Sequence, residues 1–241
     1  PPENFDEEQQ ATIEQVPIIQ QRTMTYGISW NRKYKSGNGR VRTTLSTNNL
    51  QNIFSRFSDN INKSGVLFEN DAKEQETKLR MHFIEYKSRL KFSYGFNLQY
   101  SYYKNRTLGI LEEFNYFTSI DFLKYGFYGN ASSSLLRNKL SFSFGFRSDA
   151  DTFTQGSSIS DNFSPRISFS YKISEDNKWK INASLGRYYK IPTYTMLGFK
   201  NIDENFINKA NRYIQSNHYV LGIEHNWTPT SRLTIEGFLK E

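Results

Sequence analysis

Three arginines in the second half of the chain are the residues best suited to hold a charged ligand. Arg147 and Arg166 stand on either side of a polar stretch at 150–162, and Arg187 ends the next strand-like segment. A guanidinium group presents a planar fork of donors that fits a carboxylate or a phosphate. Because Asp149 and Asp151 follow Arg147 closely, the arginines suit either a basic patch for anionic ligands or an Arg–Asp network that stiffens a wall. The sequence leaves both interpretations open.

Aromatic residues accompany these arginines. Tyr188 follows Arg187, and Tyr194 and Phe199 lie in a longer polar stretch at 190–212. Exposed rings in a loop can stack on sugars or on flat chelates, or they can pack inside a folded loop. The residues that we predict to contact a ligand are therefore Arg147, Arg166, Arg187, Tyr188, Tyr194 and Phe199.

The chain carries no constellation typical of catalysis or of metal binding. His82, His218 and His225 have no partners at a spacing typical of catalysis or metal binding, and cysteine is absent. The acidic pairs at 149/151 and 203/204 do not match a calcium-binding EF-hand loop. No glycine-rich phosphate loop, paired-carboxylate motif or nucleophile elbow is present. We therefore expect neither enzymatic activity nor a metal or cofactor.

The candidate residues lie on segments in which apolar and polar side chains alternate one by one. From Leu90 to Tyr102 every even position is Leu, Phe or Tyr, while Lys, Ser, Gly, Asn and Gln fill the odd positions. A side-chain period of two is that of a β-strand with one oily and one wet face. The run exceeds an ordinary strand of about 5–6 residues but suits a tilted membrane-crossing strand of about 9–11 residues with an extension. No stretch of about 18 apolar residues exists, so a transmembrane helix is not expected.

The breaks between these segments also alternate, because a tight turn is followed each time by a longer stretch. The tight turns are Lys35–Arg40, Tyr86–Arg89, Leu136–Lys139, Ser174–Lys178 and Thr228–Arg232. The longer polar stretches are 58–76, 104–121, 150–162 and 190–212. Outer-membrane barrels have short periplasmic turns and longer extracellular loops. We predict an all-β, antiparallel, up-and-down transmembrane β-barrel segment of about ten strands, in which the second strand, at 40–56, alternates least clearly.

Tryptophan and tyrosine positions indicate where such a barrel would meet the edges of a bilayer. Trp30, Trp179 and Trp227 each lie within a few residues of a tight turn, and Tyr100 and Tyr102 lie at the opposite end of their strand. Amphipathic rings prefer the membrane–water boundary, where the apolar part is buried and the polar group stays hydrated. We predict that these residues form two aromatic girdles, with the tryptophans on the periplasmic side.

The net charge of the chain excludes fewer classes of protein than the alternation of apolar and polar residues does. Thirty-one Lys and Arg against 24 Asp and Glu leave a net charge of +7, but the charges are spread singly, as on a solvated surface. A nucleic-acid-binding sheet would interleave aromatic and basic residues on one face, whereas here they lie on opposite faces, so no nucleic-acid partner is expected. A soluble β-rich carbohydrate- or protein-binding module is the alternative, although it would have shorter strands around a dry core.

From Lys124 to Phe199 and beyond, the sequence resembles the barrel of TonB-dependent outer-membrane receptors. The matching segments are LSFSFGFRSD at 140–149, FSPRISFSY at 163–171, LGRYYKIP at 185–192, NHYVLGIE at 217–224 and LTIEGFL at 233–239. Their order and spacing are similar to the middle and late strands of that family.

This resemblance implies a location in the bacterial outer membrane and a role in transport. Receptors of the family build a 22-stranded barrel around an N-terminal plug and import scarce nutrients such as ferric siderophores, cobalamin, oligosaccharides or peptides with energy supplied through TonB. The implied partners are the lipid bilayer, TonB through the plug, and a small nutrient; a surface lipoprotein is a further option. No plug, TonB box or signal peptide is visible in this sequence, so we expect residues 1–241 to be a partial barrel domain from a longer protein.

Overall fold

Ten β-strands form one antiparallel sheet in which each strand pairs with its neighbours in the sequence. The computed structural model describes residues 16–111, 115–155, 158–174, 176 and 178–241. The strands are β1 (Ile18–Lys33), β2 (Gly39–Asp59), β3 (Ser64–Lys87), β4 (Leu90–Gly109), β5 (Tyr116–Leu135), β6 (Leu140–Asp151), β7 (Ser164–Lys172), β8 (Trp179–Lys190), β9 (Ile214–Thr228) and β10 (Ser231–Lys240). A single helical turn, α1 (Tyr194–Leu197), lies between β8 and β9.

The prediction of about ten antiparallel strands in up-and-down order is confirmed. The connections β1–β2, β3–β4, β5–β6, β7–β8 and β9–β10 all lie at the same ends of the strands, which we call the turn end of the sheet. The opposite ends of the strands form the loop end. Among the described residues β1 pairs only with β2, and β10 only with β9. The helical turn of the described chain is too short to span a bilayer.

Two of the four predicted long loops are wrong. Residues 58–76 belong mostly to β3, and residues 104–121 mostly to β4 and β5, so that the connections shrink to 60–63 and 110–115. Polar cross-strand contacts hold these extensions, as between Gln51 and Asp71 at 2.9 Å and between Arg106 and Glu69 at 2.5 Å. A strand that extends into water is polar on both faces, and its sequence therefore resembles that of a loop. The predicted loops at 150–162 and 190–212 are confirmed as the connections between β6 and β7 and between β8 and β9; residues 156 and 157 of the first lie outside the described part of the chain.

The alternation of side chains gives the sheet one apolar and one polar face. Exposed large residues mark the apolar face from β1 to β10; examples are Met24, Leu45, Phe96, Phe127, Phe144, Phe169, Leu185, Leu221 and Ile235. The register keeps this face continuous, since Phe96 lies opposite Phe127, and Leu185 opposite Tyr219. The sheet thus carries a band of apolar side chains across all its strands, as the sequence predicts.

The sheet curls around its polar face. Tyr194, four residues after the end of β8, contacts Glu76 on β3. In a flat sheet β3 would lie about 24 Å from β8, because neighbouring strands are about 4.8 Å apart. Four residues of extended chain span at most about 14 Å. Contacts that skip a strand also lie on the polar face, as between Lys124 on β5 and Glu76 on β3 at 3.3 Å. We therefore call the polar face the concave face.

The described apolar core is small and lies on the concave face near the loop end. Its buried members are Tyr103, Ile120, Phe122, Tyr194 and Leu197. The first three come from β4 and β5, and the last two from α1. The 191–213 loop therefore folds back onto the strands and is fixed there by burial of its own side chains.

Candidate ligand-binding site on the concave face

The structure brings Arg147 and Arg166 together on the concave face. Arg147 on β6 pairs with Ser164 on β7, and Arg166 on β7 pairs with Gly145 on β6. Both arginines line two neighbouring cavities of about 330 and 340 Å³. Gly186 on β8 lies opposite Arg166 on its other side. With glycine on both flanks, the long Arg166 side chain meets no competing side chain at the directly paired positions.

The two arginines differ in what holds them. Asp149 accepts hydrogen bonds from Arg147 Nε at 2.5 Å and from Nη2 at 2.8 Å, which is a two-pronged ion pair. Arg147 Nη2 also approaches Asn97 Oδ1 on β4 at 3.4 Å. Such a fork-to-fork pair fixes the guanidinium in place. Arg147 thus joins β6 to β4 across the concave face, as the wall-network interpretation requires.

Arg166 has no ion pair or side-chain hydrogen bond among the described residues, and its Nε is buried without a partner. Its guanidinium carbon lies 4.3 Å from the centre of the Tyr188 ring, and that ring contacts the tilted ring of His218, with ring centres 4.4 Å apart. Stacking on an aromatic face orients a guanidinium and leaves its edge donors free. Arg166 is therefore the arginine of this site that can offer a fork of donors to an anion.

Arg187 lies on the other side of the sheet. Its position on β8 alternates with that of Tyr188, and its Nε donates to Asn217 Oδ1 on β9 at 3.2 Å. The pairing of β8 with β9 continues without a bulge through this point, so the period of two is kept. The structure does not bring Arg187 to Arg147 and Arg166.

Tyr194 is packed inside the folded loop, one of the two alternatives open from the sequence. Its hydroxyl contacts Glu76 and Lys124 and lies 3.2 Å from Ser101 Oγ. Burial, together with the Glu76 carboxylate, raises the pKa of the Tyr194 phenol well above its ordinary value. The phenol therefore stays protonated and donates to Glu76, which anchors the loop.

Phe199 offers a more accessible ring than Tyr194. It is 48% exposed and stacks on Tyr116 of β5 with ring centres 5.9 Å apart. Its position beside the loop end gives it access to a ligand approaching the concave face from that side.

Lys124 and Gln99, which sequence reasoning missed, belong to this region together with Tyr213, one of the aromatic residues of the 191–213 loop. All three line the cavity of about 340 Å³ beside Arg147 and Arg166. Gln99 and Lys124 are directly paired on β4 and β5, so their inward positions follow from the alternation of those strands. Tyr213 donates to Asp151 at 2.9 Å and could not be placed there without the fold of the 191–213 loop. In the described part of the chain, no three His, Asp or Glu side chains are grouped to hold a metal ion.

The predicted girdle residues lie on the apolar face. Trp30, Trp179 and Trp227 are exposed near the turn end, and the latter two contact His225 with ring centres 4.1 and 5.2 Å away. Tyr100 and Tyr102 lie towards the loop end, where β4 continues to Gly109. Their contact with a membrane interface stays a prediction.

Known proteins share this architecture. A model of the family described as "TonB dependent receptor-like, beta-barrel" matches residues 8–241. Among solved structures, the copper transporter OprC is 13% identical with a TM-score of 0.67, covering 90% of this chain and 38% of that one. A variant of the ferric enterobactin receptor PfeA from Pseudomonas aeruginosa is 15% identical, with a TM-score of 0.66 and coverages of 91% and 34%. The alcaligin outer-membrane receptor FauA from Bordetella pertussis is 11% identical, with a TM-score of 0.63 and coverages of 92% and 37%.

The family match establishes the family of this chain, whereas the solved structures establish its fold. No curated protein matches the sequence, and the identities to the solved structures show a shared fold. The chain spans between 34% and 38% of the length of these three solved proteins. The family match, by contrast, covers nearly the whole chain. The chain belongs to the TonB-dependent receptor-like β-barrel family, whose members lie in the bacterial outer membrane.

Proposed function

We propose that this chain forms part of the barrel wall of an outer-membrane receptor that actively imports a scarce nutrient. The candidate cargo classes are ferric siderophores, cobalamin, oligosaccharides and peptides, and the energy comes from TonB through a plug inside the barrel. The family match supports this proposal, as do similar solved structures that are named as a copper transporter and as a ferric enterobactin receptor. A band of apolar side chains across ten strands favours it over a soluble binding module. A partner lipoprotein stays a prediction from the resemblance.

The observation that carries the ligand-binding part of the proposal is the free guanidinium of Arg166. Tyr188 orients it, and it opens into two cavities that border Arg147. An anionic group on the cargo would occupy its fork of donors. Phe199 supplies an exposed ring nearer the loop end, while Arg147 and Tyr194 hold the wall and the loop in position. Arg187, on the other face, is the member of the predicted set with the least structural support.

Replacing Arg166 by Gln in the intact receptor tests the binding role. Lys172→Gln is the matched control, because Lys172 lies on the same strand and has the same inward parity near the turn end. Ferric enterobactin, ferric alcaligin and cobalamin serve as labelled probes. A charged hydrogen bond contributes about 1.5–3 kcal/mol, so its loss should make the receptor's probe bind about 10- to 150-fold more weakly. Unchanged affinity in Arg166→Gln and in the Arg147→Gln/Arg166→Gln pair would contradict this role.

The transport part has a separate test. Uptake of the bound probe should stop in a strain that lacks TonB, while binding to the cell surface continues. Uptake that persists in that strain would contradict the proposed energy source without affecting the assignment of Arg166.

A further inference from the structure

A cavity of about 330 Å³ on the concave face is bounded by arginines from strands that are distant in the sheet. Arg80 lies on β3, and Arg166 lies on β7. In a flat sheet these two strands would be about 19 Å apart, because neighbouring strands are about 4.8 Å apart. The curl of the sheet therefore brings both side chains to one cavity, which we call the inner cavity. Arg147 contributes a third guanidinium to its wall.

Arg80 and Arg166 differ from Arg147 in having no anionic partner in the described part of the chain. Neither makes an ion pair or a side-chain hydrogen bond there, whereas Arg147 donates twice to Asp149. No carboxylate belongs to the described residues that line the inner cavity. The cavity thus combines two unpaired positive charges with a wall that carries no negative charge.

The other polar side chains of the inner cavity bind one another or offer donors. His82 Nδ1 lies 2.8 Å from Tyr128 Oη, and His82 Nε2 lies 3.1 Å from Ser93 Oγ, so both ring nitrogens have partners. Asn130 Oδ1 accepts a hydrogen bond from Ser143 at 2.7 Å, which leaves its Nδ2 donors for another partner. Guanidinium and amide donors are therefore what the cavity presents to a ligand, and such a set suits an oxyanion.

Other unpaired cations of the concave face are arranged differently. Arg40 and Arg42 lie at successive inward positions of β2 and line a separate cavity of about 520 Å³. Lys91 on β4 lines a third cavity, of about 970 Å³, whose wall is rich in serine. These cations approach a ligand from one strand or from adjacent strands. Arg80 and Arg166 approach the inner cavity from strands four apart, so that a ligand can be held from two sides.

We propose that the inner cavity binds a doubly charged oxyanion of the cargo between Arg80 and Arg166, either a phosphate-like group or two neighbouring carboxylates. This inference rests on the proposed function and deepens it by naming the group that Arg166 receives. A single carboxylate that accepts one guanidinium fork has its charge matched by that cation, which leaves a second arginine in excess. A group with two charges and three or more oxygens can accept a fork from each arginine.

The test measures the binding of small anions to the intact receptor in a neutral detergent by isothermal titration calorimetry. The probes are inorganic phosphate, citrate and acetate at constant ionic strength and about pH 7.5, where a phosphate group carries close to two charges. Arg80→Gln, Arg166→Gln and the double variant form a double-mutant cycle. Arg42→Gln is the matched control, because it removes the same charge from an inward position of the adjacent strand that does not line the inner cavity.

We expect phosphate or citrate to bind the wild type at least about tenfold more tightly than acetate. Each single variant should weaken that binding about tenfold or more. The double variant should weaken it by less than the product of the two single effects, because both arginines hold the same anion. Arg42→Gln should change the affinity by less than about twofold, since a more distant charge is screened. If Arg80→Gln does not fold, Arg80→Lys, which keeps the charge but loses the fork, gives the same comparison.

Several results would overturn the inference. Acetate that binds as tightly as phosphate and citrate, or no binding of any of the three, removes the doubly charged ligand. Equal weakening in Arg42→Gln and Arg80→Gln means that a diffuse positive field attracts the anion. Single effects that multiply in the double variant mean that the two arginines do not hold one anion.

The inference and the proposed function can fail separately. Unchanged anion affinity in Arg80→Gln, together with weaker binding of the labelled cargo in Arg166→Gln, rejects the two-arginine site and leaves the proposed role of Arg166 intact. If Arg166→Gln weakens phosphate and citrate but leaves binding of the labelled cargo unchanged, the ligand-binding part of the proposed function fails while the anion site stands.

Discussion

Leu197 is the residue whose truncation should release the 191–213 loop from the concave face. Its side chain is fully buried, and it packs in the cluster formed by Tyr103, Ile120, Phe122 and Tyr194. Replacing a buried leucine by alanine costs about 2–5 kcal/mol, depending on how well the site can collapse. This cluster lies under a loop that can settle into the space, so we expect the lower part of that range, about 2–3 kcal/mol.

That cost falls on the local opening of the loop, because the strands below are held by their own hydrogen bonds. A change of 2–3 kcal/mol should raise the opening equilibrium about 30- to 150-fold. Hydrogen exchange of the intact receptor measures it at the amide of Gly198, which donates to Tyr194 O at 2.8 Å, and at its neighbours. The amides of β3 and β4 serve as an internal reference that should not change.

Met196→Ala is the matched control. Met196 is the preceding residue of the same helical turn and is 46% exposed. Truncation of an exposed side chain usually changes stability by less than about 0.5 kcal/mol, so exchange in this variant should stay near that of the wild type. Equal protection of the Gly198 amide in wild type, Leu197→Ala and Met196→Ala would refute the conclusion that burial of Leu197 fixes the loop.

Two further predictions concern the loop end. Asp149→Asn should weaken the ion pair with Arg147 and lower the thermal stability of the barrel. It should also raise the affinity for an anionic probe in equilibrium binding, because one more guanidinium becomes available. Unchanged thermal stability would contradict a structural role of the Arg147–Asp149 pair. Burial and the Asp151 carboxylate raise the pKa of the Tyr213 phenol above its ordinary 10.0. The hydrogen bond from this phenol therefore stabilises the loop fully below pH 10.0, and this stabilisation is lost only as the pH rises through the higher pKa of the folded protein. The protection of the loop amides, measured relative to their intrinsic exchange rate at each pH, should therefore persist up to about pH 10. Loss of this protection already at about pH 9 in the wild type but not in Tyr213→Phe would contradict the assignment.

The period of two was sufficient to predict most of the sheet. The faces of Leu90–Tyr102 follow directly from alternation, and so do the inward positions of Arg147 and Arg166, which share two cavities. Arg187 has the opposite parity to Tyr188, and because β8 pairs with β9 without a bulge it lies on the outward face. Alternation failed at the loop end, where Gln51 donates a hydrogen bond to Asp71 and the surrounding segments of β2 and β3 carry mostly polar residues. Without a difference in hydrophobicity between its faces, such a strand gives no periodic signal.

The fold of the 191–213 loop could not be predicted from local pattern. Tyr194 contacts Glu76, which lies 118 residues earlier in the chain. That contact exists only because the sheet curls and brings β3 near the end of β8. The curvature depends on all the strands between them, and no segment of the sequence shows it alone. The sequence alone therefore could not show that Tyr194 anchors the loop instead of contacting a ligand.

The cations of the concave face fall into two groups. Those paired with a carboxylate stabilise the wall, and those without such a pair can bind a partner. Lys124 and Lys180 are neutralised by carboxylates of nearby or neighbouring strands, and Arg147 by Asp149 of its own strand. Their removal therefore leaves an unmatched negative charge and should lower stability. Arg166 and Arg80 have no such partner among the described residues, so their removal leaves no carboxylate exposed. Neutralisation of Arg166 or Arg80 should therefore change binding with little change in the melting temperature of the barrel, whereas neutralisation of Lys180 should lower that temperature. Melting and binding measured on the same three variants would contradict this division if Lys180→Gln left stability unchanged, or if Arg166→Gln and Arg80→Gln lowered it as much.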